Sequence, residues 1–230
     1  MTLFPLLALT LAAPAAHAGD PQTHIDAGLY TDFPTSVGLR ATVELPSRVR
    51  FSLGGGLFPD PYLASIQGVA TNAGWYSESL ATLIDRALSR ARVVQPRIGY
   101  RPWEQRGFWF ATGFQRVFAV GAEAESVEVA TAMEQTNSDQ DYFLESRLDM
   151  LTIEAGWEWC IQERLTVRTS LGGAFTVGAQ TEARPVTGDD APFERVREVG
   201  RTALETYLND TYTRYIHTPT VGVELGYRFR

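Results

Sequence analysis

The chain has 230 residues, 44% hydrophobic, 20% charged and 11% aromatic, with a formal net charge of −7. That composition excludes a disordered segment, a collagen-like repeat and a disulfide-stapled miniprotein, and the acidic balance excludes a general nucleic-acid binder. A mean hydropathy of −0.13 argues against a helical membrane protein, and a single cysteine, Cys160, permits no internal disulfide and fixes no redox compartment.

Residues 1–18 read as a secretory signal peptide. Leu3 to Ala13 is an apolar run of the right length, and Ala16-His17-Ala18 is an A-x-A cleavage site before Gly19. The n-region lacks Arg and Lys, and no Cys follows the cleavage site, which disfavours a lipoprotein. Residues 19–230 are then one exported domain. No later stretch is long and apolar enough for a spanning helix.

From there the dominant period is two, the signature of strands with two different faces. A first strand over 24–31 sets Ile25, Ala27 and Leu29 against His24, Asp26 and Gly28. In 36–45, Val37, Leu39, Ala41, Val43 and Leu45 oppose Gly38, Arg40, Thr42 and Glu44. In 48–58, Val49, Phe51, Leu53 and Leu57 oppose Arg48, Arg50, Ser52, Gly54 and Gly56. The period then lengthens. Leu63, Ile66, Val69 and Ala70 make a weak helical stripe. Ser77 caps a stronger helix over 78–91, with Leu80, Leu83, Ile84, Ala87 and Leu88 on one face.

Alternation resumes in 92–101, where Val94, Ile98 and Tyr100 oppose Gln95, Arg97, Gly99 and Arg101. In 107–120, Phe108, Phe110 and Phe114 share a face. The next connection is acidic, with Glu123, Glu125, Glu128, Glu134, Asp139, Asp141 and Glu145 and no Arg between Arg116 and Arg147. It reads as a solvated surface hairpin. Asn137-x-Asp139-x-Asp141 opens like a calcium loop, but Tyr142 stands where the sharp-turn Gly belongs and Leu148 where the bidentate Glu belongs, so no EF-hand site is expected.

In 147–160, Leu151, Ile153, Ala155, Trp157 and Trp159 oppose Thr152, Glu154, Gly156, Glu158 and Cys160. In 164–178, Leu165, Val167, Leu171, Phe175 and Val177 oppose Arg164, Thr166, Arg168, Ser170, Gly172 and Thr176. Over 191–208, Asp190 caps a helix with Pro192 in its first turn and Phe193, Val196, Ala203, Leu204, Tyr207 and Leu208 on one face. The last strand alternates strictly: Val221, Val223, Leu225, Tyr227 and Phe229 against Thr220, Gly222, Glu224, Gly226 and Arg228.

Eight strands result, and their connections alternate. Leu45-Pro46-Ser47, Pro102 to Arg106 and Ile161-Gln162-Glu163 are tight, while 59–91, 121–146 and 180–217 are long. Asp32 to Thr35 is one short connection on the long side. In an up-and-down antiparallel sheet this gathers the short turns and both chain ends on one side. Strand direction sends Tyr100, Trp103, Phe108, Phe110, Trp157, Trp159, Tyr227 and Phe229 to that same end, as an aromatic girdle at a membrane–water boundary.

The chain resembles the small eight-stranded outer-membrane barrels of the OmpA/OmpX type. The resemblance covers about residues 22–230 and rests on strand count, turn parity and the ending Tyr227-Arg228-Phe229, after which Arg230 follows. It implies an all-β transmembrane barrel in the outer membrane of a Gram-negative cell, with helices in two long extracellular loops and periplasmic termini. It also implies contact with outer-membrane lipid, and recognition of the last strand by the barrel-assembly machinery. The family shares no single activity.

With apolar faces toward lipid, the interior holds Asp26, Arg40, Glu44, Arg50, Arg97, Arg101, Glu154, Glu158, Arg168, Glu224 and Arg228. Eight strands enclose a space that side chains can fill, and opposite charges there must pair. The expected protein is therefore a filled barrel that displays its loops. The alternatives are a small gated pore for ions or polar solutes, and a soluble periplasmic lipocalin-like barrel whose apolar face would wrap a ligand. No extracellular partner can be named.

Catalysis is not expected. The mature chain has only His24 and His217, which strand parity puts at opposite ends, and no Gly-x-Ser-x-Gly elbow appears. Cys160 reads as a small filler. Gly54-Gly55-Gly56 lies within a strand and is no phosphate cradle; no P-loop, dinucleotide fingerprint, zinc spacing or cofactor motif is present.

Overall fold

The computed structural model describes residues 23–74, 77–88, 90–103, 107–119, 122–124, 142–185 and 194–229. The signal segment, residues 125–141 of the acidic connection, the Asn137–Asp141 motif and the Asp190, Pro192 and Phe193 positions lie outside them.

Among the described residues, nine strands form one antiparallel sheet. They are β1 (His24–Phe33), β2 (Ser36–Glu44), β3 (Val49–Leu57), β4 (Arg92–Tyr100), β5 (Phe108–Phe118), β6 (Ala122–Ala124), β7 (Tyr142–Ile161), β8 (Leu165–Pro185) and β9 (His217–Phe229). Sequence neighbours pair throughout except β5 with β6, which both pair with β7, and β1 closes on β9. The β5–β7 ladder ends at Phe118↔Arg147, the Ala119 amide donates to the Ser146 carbonyl at 2.9 Å, and β6 continues at Ala122↔Leu144. β5 and β6 are thus one broken stave, and the sheet closes as an eight-stave barrel.

The turns show why the short end is short. At 45–49, the Arg48 amide donates to the Leu45 carbonyl at 2.8 Å with Arg48 at φ 66°. At 161–165, Gln162 and Glu163 take φ 52° and 63°, the two left-handed positions of a type I′ hairpin.

Several boundaries differ from the sequence reading. β1 runs to Phe33, so the turn is Pro34-Thr35 and Asp32 belongs to the strand. β7 starts at Tyr142 rather than 147, and β8 runs to Pro185 rather than 178. A register shift opposite Asp149/Met150 pairs Asp149 with Gly178 but Met150 with Thr176, leaving Val177 as the extra residue. Beyond that bulge the buried positions of β8 change from Ala174 and Thr176 to Thr181 and Ala183. The extra residue keeps small side chains facing inward.

Among the described residues, three helices lie between strands in the chain: α1 (Asp60–Asn72), α2 (Glu78–Ala87) and α3 (Glu194–Tyr215). The Leu80 amide donates to the Ser77 hydroxyl at 3.3 Å, the predicted cap. α2 stops at Ala87, earlier than 91, and α3 continues well past 208, because Thr211, Tyr212 and Ile216 prolong its buried stripe.

The helices and the upper barrel share one core. Leu80, Leu83, Ile84 and Ala87 of α2 and Leu204, Leu208 and Tyr212 of α3 pack with Val93, Val117, Leu144, Leu148, Met150 and Ala183 on the inward faces of the strands. This apolar mass closes the long-connection end. Leu208→Ala, at a fully buried position, is expected to cost about 2–4 kcal/mol, read as a lower urea midpoint of the refolded protein. Val199→Ala, 70% exposed on the same helix, leaves the midpoint unchanged.

Candidate functional site

The lumen between the apolar cap and the short turns is ionic. Asp26, Arg40, Glu44, Arg50, Arg97, Glu154, Glu158, Arg168 and Glu224 are buried, and Arg101 and Arg228 are half-buried near the short-turn end. Asp32, read from sequence as part of a turn, is a twelfth member and 3% exposed. Its signal was the continued alternation of Asp26, Gly28, Tyr30 and Asp32 along β1.

These twelve residues form one connected network of six arginines and six carboxylates. Arg97 joins Glu154 to Asp32, and Asp32 meets Arg40 at 2.6 Å. Arg40 reaches Glu224 at 3.0 Å, and Glu224 meets Arg168. Arg168 holds Asp26 and Glu158, both at 2.6 Å. Glu158 is the hub, for it also meets Arg50, Arg101 at 2.6 Å and Arg228 at 2.9 Å. Glu44 bridges Arg50 and Arg101, both at 2.9 Å.

Small inward residues make room for these long side chains. A Cβ on Gly113 would stand 2.6 Å from Arg97 Cγ, and one on Gly222 would stand 2.8 Å from Asp32 Oδ1. Two aromatic rings also face inward, unanticipated from sequence. The Arg40 guanidinium lies 3.9 Å over the Tyr30 ring, and that of Arg50 lies 5.9 Å from the Trp109 ring. Such stacking stabilises a desolvated cation.

Above the network is a layer of neutral amides. Gln95 accepts from Arg40 at 3.0 Å and donates to Gln115 at 2.9 Å, and Gln115 lies 3.9 Å from the Met150 sulfur. The cavity left inside the ionic storey is about 20 Å³, room for roughly one water molecule. Burial of unpaired charge costs several kcal/mol per ion, so the lining holds together only as a neutral set.

The other predicted positions fall as follows. Tyr100, Trp103, Phe110, Tyr227 and Phe229 are exposed, and Phe108, Trp157 and Trp159 half-exposed. They sit near the short turns, with ring contacts Tyr100–Phe110 at 5.8 Å, Trp103–Phe108 at 5.6 Å, Phe108–Trp157 at 6.3 Å and Tyr227–Phe229 at 5.4 Å. His24 and His217 begin β1 and β9, which pair antiparallel from Ile25↔Phe229 to Phe33↔Val221, so they lie at opposite ends. The Cys160 sulfur lies 3.8 Å from Arg228 Nη1.

Glu158→Gln places a neutral amide among four guanidinium groups. It is expected to cost about 3–5 kcal/mol, measured as a shift in the urea midpoint. Glu182→Gln breaks only the exposed Arg184 pair and is expected to cost under about 1 kcal/mol.

No family model matches the chain, and no curated protein matches its sequence. Among solved structures, it is similar to the N-terminal β-barrel domain of OprF from Pseudomonas aeruginosa, at 12% identity and a TM-score of 0.45, over 90% of this chain and 96% of that one. It is similar to a major outer membrane protein from Thermus thermophilus at 14% identity and 0.43, over 90% and 98%. A third is CarO from Acinetobacter baumannii, at 13% and 0.37, over 89% and 97%. By its own pairings and polarity, the chain is a closed eight-stranded up-and-down barrel, apolar outside and ionic within.

Proposed function

We propose that the chain is an integral outer-membrane barrel with a closed lumen, a structural or interaction protein that presents its helix-bearing end to the extracellular side. The observation that carries this is the inside-out polarity of the wall. Leu29, Leu39, Leu53, Leu171 and Leu225 are 55–68% exposed on the outer surface, while the axis holds twelve charges. So large an exposed apolar surface is far beyond what a soluble monomer carries. Hydrocarbon satisfies it, and the closed ladder leaves no unpaired strand edge for lipid to meet.

A lipocalin-like binder needs the opposite arrangement, an apolar lining under a polar wall. Two closures favour a filled barrel over a pore: the ionic storey with its cavity of about 20 Å³ and the apolar cap above it. The exposed alternation of Val221, Val223, Leu225, Tyr227 and Phe229 on β9 supports engagement of the last strand by an assembly machine. The parity of the staves supports periplasmic termini. The separation of His24 from His217 supports a non-catalytic role.

The mature chain is expected to fold only in detergent or lipid and to migrate differently on gels with and without heating. A detergent-free soluble monomer would overturn the proposal. In planar bilayers it is expected to show no steady single-channel steps; such steps would replace the filled barrel with a gated pore. Leu39→Arg, on the exposed wall, is expected to cost about 2–4 kcal/mol in lipid if it lies near the midplane, read from urea unfolding in vesicles.

A further inference from the structure

The outer wall changes character on one side of the barrel. On β4, β5 and β7 the outward positions up to Val94, Phe114 and Leu151 carry no charge and, Thr112 apart, are apolar. The next outward positions toward the helix end are Arg92 on β4, Arg116 on β5, and Asp149 and Arg147 on β7. Among the described residues, the outward faces of β1, β2, β3 and β9 carry no Asp, Glu or Arg at all. The charged rim is therefore local, and its first two rows, Val94–Arg116–Asp149 and Arg92–Phe118–Arg147, hold three arginines against one aspartate in a chain whose net charge is −7.

The register fixes their spacing. Arg92 pairs with Phe118, and Phe118 pairs with Arg147, so the two arginines flank one stave. Two inter-strand steps separate their backbones by roughly 9–10 Å. Arg116 lies between and just below them, held in a fork by Asp149 at 2.6 and 3.0 Å. Its guanidinium stands 5.4 Å from the Phe114 ring, and that of Arg147 stands 5.7 Å from the Phe118 ring. Both rings face outward. Among the described residues, neither Arg92 nor Arg147 has a carboxylate partner, and both are exposed.

We propose that this rim is a docking site for the phosphate of a membrane lipid headgroup. Arg92 and Arg147 are the ligands, and the Arg116–Asp149 pair is a fixed, charge-balanced floor between them. The inference rests on the membrane-spanning reading. An arginine stem lies along apolar surface while its head seeks the polar boundary. The planar fork of donors matches phosphate oxygens in pairs, and a lipid phosphate sits at the depth where hydrocarbon ends. The occupant is a lipid rather than a free ion because the exposed Phe114 and Phe118 rings adjoin the site and cover acyl chain.

The test is native mass spectrometry of the mature chain, released from micelles doped with equal amounts of phosphatidic acid and phosphatidylcholine. The chain is expected to retain phosphatidic acid with about a fivefold preference, as paired arginine–phosphate contacts predict. The double variant Arg92→Gln/Arg147→Gln is expected to lose that preference, whereas Arg201→Gln on α3 keeps it. Excess inorganic phosphate is expected to leave the adduct in place; complete displacement would overturn the lipid as the occupant. Equal retention of both lipids, or an undiminished preference in the double variant, overturns the site. Heat-modifiable migration of the same sample separates the two failures. An intact barrel without the preference defeats this inference alone, and a chain that forms no detergent-embedded barrel defeats the membrane reading with it.

Discussion

A closed wall around ionised side chains imposes electroneutrality on its contents, and the structure is organised by that requirement. Water is too scarce in the lumen to solvate six guanidinium groups, so six carboxylates take its place. The partners come from distant parts of the chain. Arg40 meets Glu224 across 184 positions, and Arg168 meets Asp26 across 142. Those two contacts link β2 and β8 to strands on both sides of the β1–β9 seam, where the barrel closes. The network therefore specifies closure as well as filling. An opened seam would part Arg40 from Glu224 and strip Asp26 of Arg168, its one ion-pair partner among the described residues.

The lining changes chemistry along the axis in three steps. Charges fill the end near the short turns, amides of Gln95 and Gln115 form a thin layer above them, and a hydrocarbon core with three helices closes the other end. The outer wall changes in the opposite sense. On β7, Leu151 and Ile153 face outward beside the ionic storey, whereas Arg147 and Asp149 face outward beside the apolar one. One stave thus follows membrane-protein rules in its lower part and water-soluble rules in its upper part. In the proposed membrane orientation, the crossing point is where lipid gives way to water on that side.

The strands were legible where the two faces contrast, because period two then reports the inside directly. The eleven interior charges follow from that contrast alone; the cap at Ser77 follows from the helical stripe after it, and the tight turn at Gln162-Glu163 from the short gap between two alternating runs. Legibility failed where the contrast weakens or reverses. In 142–150, Leu144, Leu148 and Met150 point inward and Glu145 and Arg147 outward, so the strand looks like the end of a loop when apolar is taken to mean outward. Asp32 was hidden because Asp-Phe-Pro-Thr reads as a turn, yet its side chain binds Arg40 and Arg97. The bulge at Val177 and the extension of α3 to Tyr215 depend on what packs across the barrel, which no local pattern records.

The amide layer has a consequence for how the barrel responds to its surroundings. Gln95 and Gln115 stand between the guanidinium groups and the greasy cap, and the wall beyond the staves is hydrocarbon. Mobile counterions have no route to the axis from that end, so Debye screening that weakens the exposed Arg184–Glu182 and Arg201–Glu198 pairs acts less on Asp32, Arg97 and Glu154, buried beneath the amides, than on Arg101 and Arg228 at the short-turn end. The part of the ionic axis beneath the amides is thereby shielded from swings in external ionic strength more than its short-turn rim is.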